Sequence, residues 1–206
     1  MASIEIRNQA NDSLLTPKNS ALLIIDYQPA QINAVNSMPR SKMLNNIVVT
    51  AMAAEAWGLP IILSSVNVAK GSGDTVPTIK NAIGTTKSHD RTSINAWEDR
   101  EFRNAVIKTA RRKLLVCALW TESGMSFPTL DMLGEGYEVY PVVDALGGTS
   151  IAAHEAALRR VEMAGARPTS VAQLLCELQR DWNRRETVPD AMRLLYSADI
   201  FLNMGG

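Results

Sequence analysis

Short apolar runs alternate along this chain with longer segments in which apolar residues return every three or four positions. The runs are Ala21–Ile25 (ALLII), Pro60–Val66 (PIILSSV), Lys113–Leu119 (KLLVCAL) and Tyr137–Val143 (YEVYPVV). Runs this short, rich in Ile, Val and Leu, fit strands buried on both faces, as in a parallel sheet. The intervening segments read as helices. Lys42–Trp57 places Met43, Ile47, Met52 and Ala56 at helical spacing and is closed by Gly58 and Pro60. Glu98–Arg112 opens on acids (Glu98, Asp99, Glu101) and ends on bases (Lys108, Arg111, Arg112), the polarity a helix dipole favours. Phe127–Leu133, Ser150–Ala164 and Val171–Trp182 complete the series. Strict alternation of strand and helix predicts an α/β sandwich around a mostly parallel sheet. No repeat or Gly/Ser tract divides it, so residues 1–206 read as a single domain with 1–18 as an N-terminal extension. Residues 187–206 carry Met192, Leu194, Leu195, Ile200, Phe201 and Leu202. That is too apolar for a free tail, and it is expected to pack on the body or on another subunit.

Charge narrows the function classes. Lys plus Arg and Asp plus Glu each number 21 among 206 residues, so the net charge is zero. A neutral chain has no general pull on phosphate backbones or anionic lipid, and neither nucleic acid nor membrane is an expected partner. The longest apolar stretches, such as 114–120, fall far below the ~20 residues of a membrane span. The opening MASIEIRNQANDS lacks the basic and apolar regions of a secretory signal. Two cysteines, Cys117 and Cys176, make neither a disulfide framework nor a zinc site. A cytoplasmic protein is the expectation. The phosphate-cradling GxGxxG pattern is missing too; Gly71-Ser72-Gly73 is only a fragment, so no cofactor is expected.

In an open α/β sheet, ligands bind at the carboxyl ends of the strands. Asp26 ends the first run there, either as a catalytic acid or as a loop acid capping the next helix. Arg91 lies in the polar segment SHDRTSINAW and taken alone reads as a solvated arginine. The third position is WTESGMSFP, a polar turn between strand and helix, where N–H groups and the dipole favour an anion or an activated nucleophile.

Six segments carry a resemblance: LLIIDYQ at 22–28, GLPIILSS at 58–65, RTSINAWED at 91–99, LWTESGMSFPTLD at 119–131, GYEVYPVVDALGGTS at 136–150 and CELQRDW at 176–182. Together they resemble the isochorismatase-like cysteine hydrolase superfamily, in its YcaC-like branch. The resemblance implies a Rossmann-like three-layer fold with a six-stranded, mostly parallel sheet, assembled into homo-oligomers. It also implies a triad of Asp, Lys or Arg, and Cys, in which the thiol attacks an amide or related carbonyl and the acid shuttles the proton. Asp26 falls on the acid position and Arg91 on the basic one. Gly124 falls on the cysteine position, leaving a backbone N–H for an oxyanion but no attacking atom. The family's cis peptide is placed between Trp120 and Thr121.

No neighbour replaces the thiol in this reading. Ser123 is turned by ~100° from position 124, Ser126 lies two residues on, Cys117 sits inside a strand and Cys176 reads as structural. Asn95, Trp97, Trp120 and Thr121 are expected to line the substrate pocket, though each tryptophan also reads as packing. The metal-binding relatives, nicotinamidases, use an Asp and two His near the second strand. Here His89 and His154 lie elsewhere, so no metal is expected. The function expected is hydrolysis of a small amide or related C–N substrate with the nucleophile position vacant. The alternatives are a noncovalent hydrolase of the isochorismatase kind, and an inactive ligand-binding scaffold.

Overall fold

A computed structural model describes residues 8–201. Among these, five strands form one parallel sheet: β1 (Ser20–Ile25), β2 (Ile61–Val66), β3 (Ser88–Arg91), β4 (Lys113–Ala118) and β5 (Glu138–Pro141), in the order β3-β2-β1-β4-β5. Leu22 sits opposite Ile61 on one side and Leu115 on the other. Every residue of β1 and β4 is buried because alternate side chains enter different layers. Leu22, Ile24, Leu115 and Cys117 pack with α2 (Arg40–Ala56), α3 (Pro77–Ala82), α7 (Val171–Gln179) and α8 (Val188–Ser197). Leu23, Ile25, Leu114 and Val116 face α4 (Arg100–Lys108), α5 (Ser126–Gly134) and α6 (Ile151–Met163). Each buried Leu or Ile adds roughly 1.5–3 kcal/mol of hydrophobic stabilisation. A short α1 (Pro29–Asn33) follows β1. Asp99, Ser150 and Ser170 cap α4, α6 and α7, accepting from the N–H groups of Phe102, Ala153 and Gln173.

The sheet therefore has five strands where six were expected. The sixth position is taken by residues 167–169, which run along β5 with Arg167 N–H on Val139 O and Thr169 N–H on Pro141 O. Only one bridge forms there, Val142 to Thr169. Pro141 and Pro168 cannot donate, which thins the ladder at this edge. At the other edge, β3 arises from SHDR, part of the polar segment SHDRTSINAW, in which the apolar pattern marks no strand. Helix α7 stops at Gln179, three residues early, because Arg180 takes a positive φ of 61°.

The described part of the N-terminal extension is strapped across the base of the sheet. Buried Lys113 donates from Nζ to the carbonyls of Asp12 (2.7 Å), Ser13 (2.6 Å) and Leu14 (3.1 Å). The Leu15 N–H meets Glu177 Oε2 at 2.6 Å, and Arg180 pairs with Asp12 at 2.9 Å. Lys113→Met keeps the packing stem but strands these acceptors, so urea denaturation is expected to show a loss of roughly 2–3 kcal/mol. At the other terminus α8 buries Ala191, Leu194 and Leu195 against the body. It is pinned to α2 by Asn45 and Lys42, which donate to the carbonyls of Ser197 and Ala198. Ile200 and Phe201 are exposed, and Leu202 lies outside the described residues.

Candidate active site

The order of strands sends the chain outward in opposite directions from β1 and from β4, the arrangement in which open α/β sheets take ligands beyond the carboxyl ends of those strands. Asp26, directly after β1, takes a positive φ of 63°. A non-glycine residue held there is uncommon, and such residues cluster at functional sites. Its N–H is fixed by Ser64 O at 3.0 Å. Arg91, the last residue of β3, reaches across β2 and grips the carboxylate with two parallel bonds. Nη1 meets Oδ1 at 2.7 Å and Nη2 meets Oδ2 at 2.6 Å. The guanidinium is held in turn by Ser64 Oγ and the Ile94 carbonyl, each at 3.2 Å. Such a fork fixes a carboxylate in orientation as well as in charge.

This pair is desolvated. Asp26 is 5% exposed and Arg91 2%. Burial pushes the Asp26 carboxyl above the ordinary aspartate value, outweighing the opposing hydrogen bond and charge of Arg91. A carboxyl shifted this way holds a proton more readily than a free aspartate, which suits it to taking one from a neighbouring group.

The third component is the turn after β4. The peptide joining Leu119 to Trp120 is cis, one residue earlier than the resemblance implied. Residues Thr121–Met125 then make a single π-helical turn that leads into α5. Gly124 is buried in this turn beside Asp26: a Cβ built on it would stand 3.6 Å from Asp26 Oδ2. The same Cβ would stand 2.1 Å from the Leu119 carbonyl oxygen and 2.8 Å from its carbon. A backbone carbonyl thus occupies the volume of any side chain at 124.

The other expected site residues divide. Trp120 and Thr121 lie on the turn. The Trp120 indole donates to Gln31 O at 2.8 Å, and Thr121 is wholly buried with its N–H on Gly147 O. Asn95 and Trp97 follow the Arg91 segment, but their polar atoms engage the α5 side. Asn95 Nδ2 donates to Asp131 at 2.7 Å, and Trp97 Nε1 to Glu135 at 2.8 Å. Cys117 is buried in β4, where burial pushes its thiol well up, the opposite of an activated nucleophile. Cys176 is exposed on α7 rather than packed. Among the described residues no three His, Cys, Asp or Glu side chains gather as a metal site.

Sequence reasoning missed three supports. Buried Gln28 ties this end of the sheet together, with Nε2 on the carbonyls of Val66 and Gly73 and Oε1 accepting from Val66 N–H. Ser64 steadies Arg91. His154, from α6, meets Thr121 Oγ1 at 2.8 Å. None lies close in sequence to the residue it holds; only the position of Gln28 in IIDYQ, two residues after Asp26, gave a signal.

Residues 20–173 match the isochorismatase domain. The chain belongs to the isochorismatase family. Within this superfamily of hydrolases it is similar to the probable hydrolase YcaC of Escherichia coli, with 29% identity covering 90% of this chain and 94% of the relative. The YcaC structure from Pseudomonas aeruginosa, solved with hexane-2,5-diol and covalent acrylamide, superposes with a TM-score of 0.81 at 29% identity. It covers 90% of this chain and 96% of that one. The Escherichia coli YcaC structure, described as an octameric hydrolase of unknown specificity, gives 0.81 at 28% identity, covering 92% and 98%. The isochorismatase fold thus extends over nearly the whole chain.

Proposed function

We propose that this chain hydrolyses a small amide or related C–N substrate by direct attack of water, without a covalent intermediate. The observation that carries this reading is the Leu119 carbonyl, which lies where a cysteine side chain at 124 would begin. In the proposed step Asp26 takes a proton from water as the water oxygen bonds to the substrate carbonyl carbon. The oxygen that gains negative charge is received by the Gly124 N–H. When the C–N bond breaks, the Asp26 proton passes to the leaving nitrogen, so acid and base work are shared by one carboxyl. Arg91 keeps that carboxyl oriented throughout. Trp120 and Thr121 wall the site, while Asn95 and Trp97 steady the segment that carries Arg91.

The near-complete burial of the pair favours a small substrate. Homo-oligomeric assembly belongs to the same reading, supported by the octameric relative and by exposed Ile94, Ile151, Met163 and Trp182. A cytoplasmic setting is supported by two free cysteines. No helix among the described residues is long and apolar enough to cross a membrane.

The test offers isochorismate and a panel of small amides to the intact chain and to Asp26→Asn. Turnover of an amide is expected to fall by about 10²–10⁴ in the variant. An acyl adduct trapped on the protein, or turnover indifferent to Asp26→Asn, would defeat the proposal. Turnover of isochorismate alone would move the substrate to a vinyl ether, and binding without turnover would make the chain a scaffold.

A further inference from the structure

We propose that His154 and Glu122 are positioning residues that hold the Thr121–Met125 turn, and with it Gly124 and the Leu119 carbonyl, in place beside Asp26. This rests on the reading of that turn as the ligand site. The backbone ties the start of the turn to the 147 segment, where Leu119 bridges to Gly147 and the Thr121 N–H donates to Gly147 O at 3.0 Å, and closes the turn on itself through the Met125 N–H to Trp120 O at 3.1 Å. The side-chain links come from two consecutive residues. Thr121 Oγ1 meets His154 Nδ1 at 2.8 Å. Glu122 Oε1 accepts from the Thr149 N–H at 3.0 Å and from its hydroxyl at 2.5 Å, while Oε2 is buried without a hydrogen-bond partner.

The receiving segment leaves little room for adjustment. A Cβ on Gly148 would stand 2.8 Å from Glu122 Oε2 and 2.9 Å from His154 Cβ, so glycine is what lets both side chains close in. Gly148 is itself clamped. Its carbonyl accepts from the N–H groups of Asn36 (2.9 Å) and Ser37 (3.3 Å), and its own N–H donates to Ser37 Oγ at 2.9 Å. Any change in the Thr121–His154 bond is therefore passed to the turn rather than absorbed by the 147–150 segment.

Protonation is such a change. Burial holds the His154 ring below the ordinary histidine value, with Glu122 and Glu155 pulling the other way. The remaining charge on an element packed against it is Asp131 of α5, bonded to Asn95; residues 34–37 and 147–150 carry none. In the neutral ring Nδ1 can accept the Thr121 hydroxyl proton. In the cation Nδ1 must donate, so the buried hydroxyl has to turn its proton away, with a positive charge now beside Glu122.

The experiment is an NMR pH titration of the full chain, which has two histidines, with His89→Gln assigning the His154 ring. The amides of Thr121 and Gly124 are expected to shift with the midpoint of the His154 ring. Thr121→Val should leave the ring titrating while the Gly124 shift falls below about a third of its amplitude, and Thr121→Ser should restore it. His154→Gln should abolish the Gly124 titration while His89 still titrates, a result that stands even if Thr121→Val does not fold. A Gly124 amide that stays still while the ring titrates would overturn the proposal, as would full amplitude in Thr121→Val or in His154→Gln. No substrate enters this measurement, so a chain inactive on every compound offered would refute the hydrolytic reading and leave this one untouched.

Discussion

Gly124→Ala is expected to lose about 3 kcal/mol or more of stability in urea denaturation, beyond the usual range for one added methyl group. The added Cβ would begin 2.1 Å from a backbone oxygen. A flexible side chain would swing clear of such a contact, but the Leu119 carbonyl moves only with the chain that carries it. Gly124 does not adopt a positive φ, so the loss is steric and not a matter of backbone conformation. Gly124→Cys meets the same obstacle. Its thiol is expected to label no faster than an ordinary cysteine, against the same chain with Cys176 replaced. A stable Gly124→Cys protein with a rapidly alkylated thiol and new amidase activity would show that the carbonyl yields, and would restore covalent chemistry.

Arg91→Met should be nearly as damaging, and its cost should depend on pH. Removing one partner of a buried, hydrogen-bonded ion pair costs about 3–5 kcal/mol, because the survivor is left as an uncompensated charge. Burial already holds Asp26 above the aspartate value of 3.8, and Arg91 supplies both opposing influences. Without the arginine the folded-state value rises further. A carboxyl raised by folding binds its proton more readily in the native state. The penalty therefore bears fully above the folded value, shrinks as pH falls through it, and is gone below the unfolded value. The difference in unfolding free energy between Arg91→Met and the unaltered chain should thus narrow from pH 7 towards pH 4. Arg91→Lys keeps a point charge without the fork and should fall between the two. A pH-independent difference would mean that the ion pair is not what holds the site.

The parts legible in the sequence are those written in side chains along one strand or helix. β1 and β4 stand out because both faces of each are buried, so ALLII and KLLVCA contain no polar interruption beyond Lys113. β3 does not, because an edge strand can be built from Ser, His, Asp and Arg without a hydrophobic signature. Asp26 and Arg91 lie 65 residues apart; only the resemblance, not any local pattern, suggested that they meet. His154 was weighed as a metal ligand and set aside, since nothing in SIAAHEA tells that Thr121 lies against it. The Leu119 carbonyl is the extreme case: it belongs to the main chain, which every sequence has, and its importance comes wholly from where the fold aims it.

The arrangement of the sheet also says when a ligand site comes into being. Asp26 and Arg91 belong to the first half of the chain, and the Gly124 turn arrives only with β4, which pairs directly with β1. During synthesis an emerging polypeptide would hold the proposed acid and its arginine well before it held the turn proposed to receive the reacting atom. If the proposed site is right, ligand capture would belong to the finished sheet alone, and a molecule seated between Asp26 and Gly124 would staple the early half of the chain to the late half at their central seam.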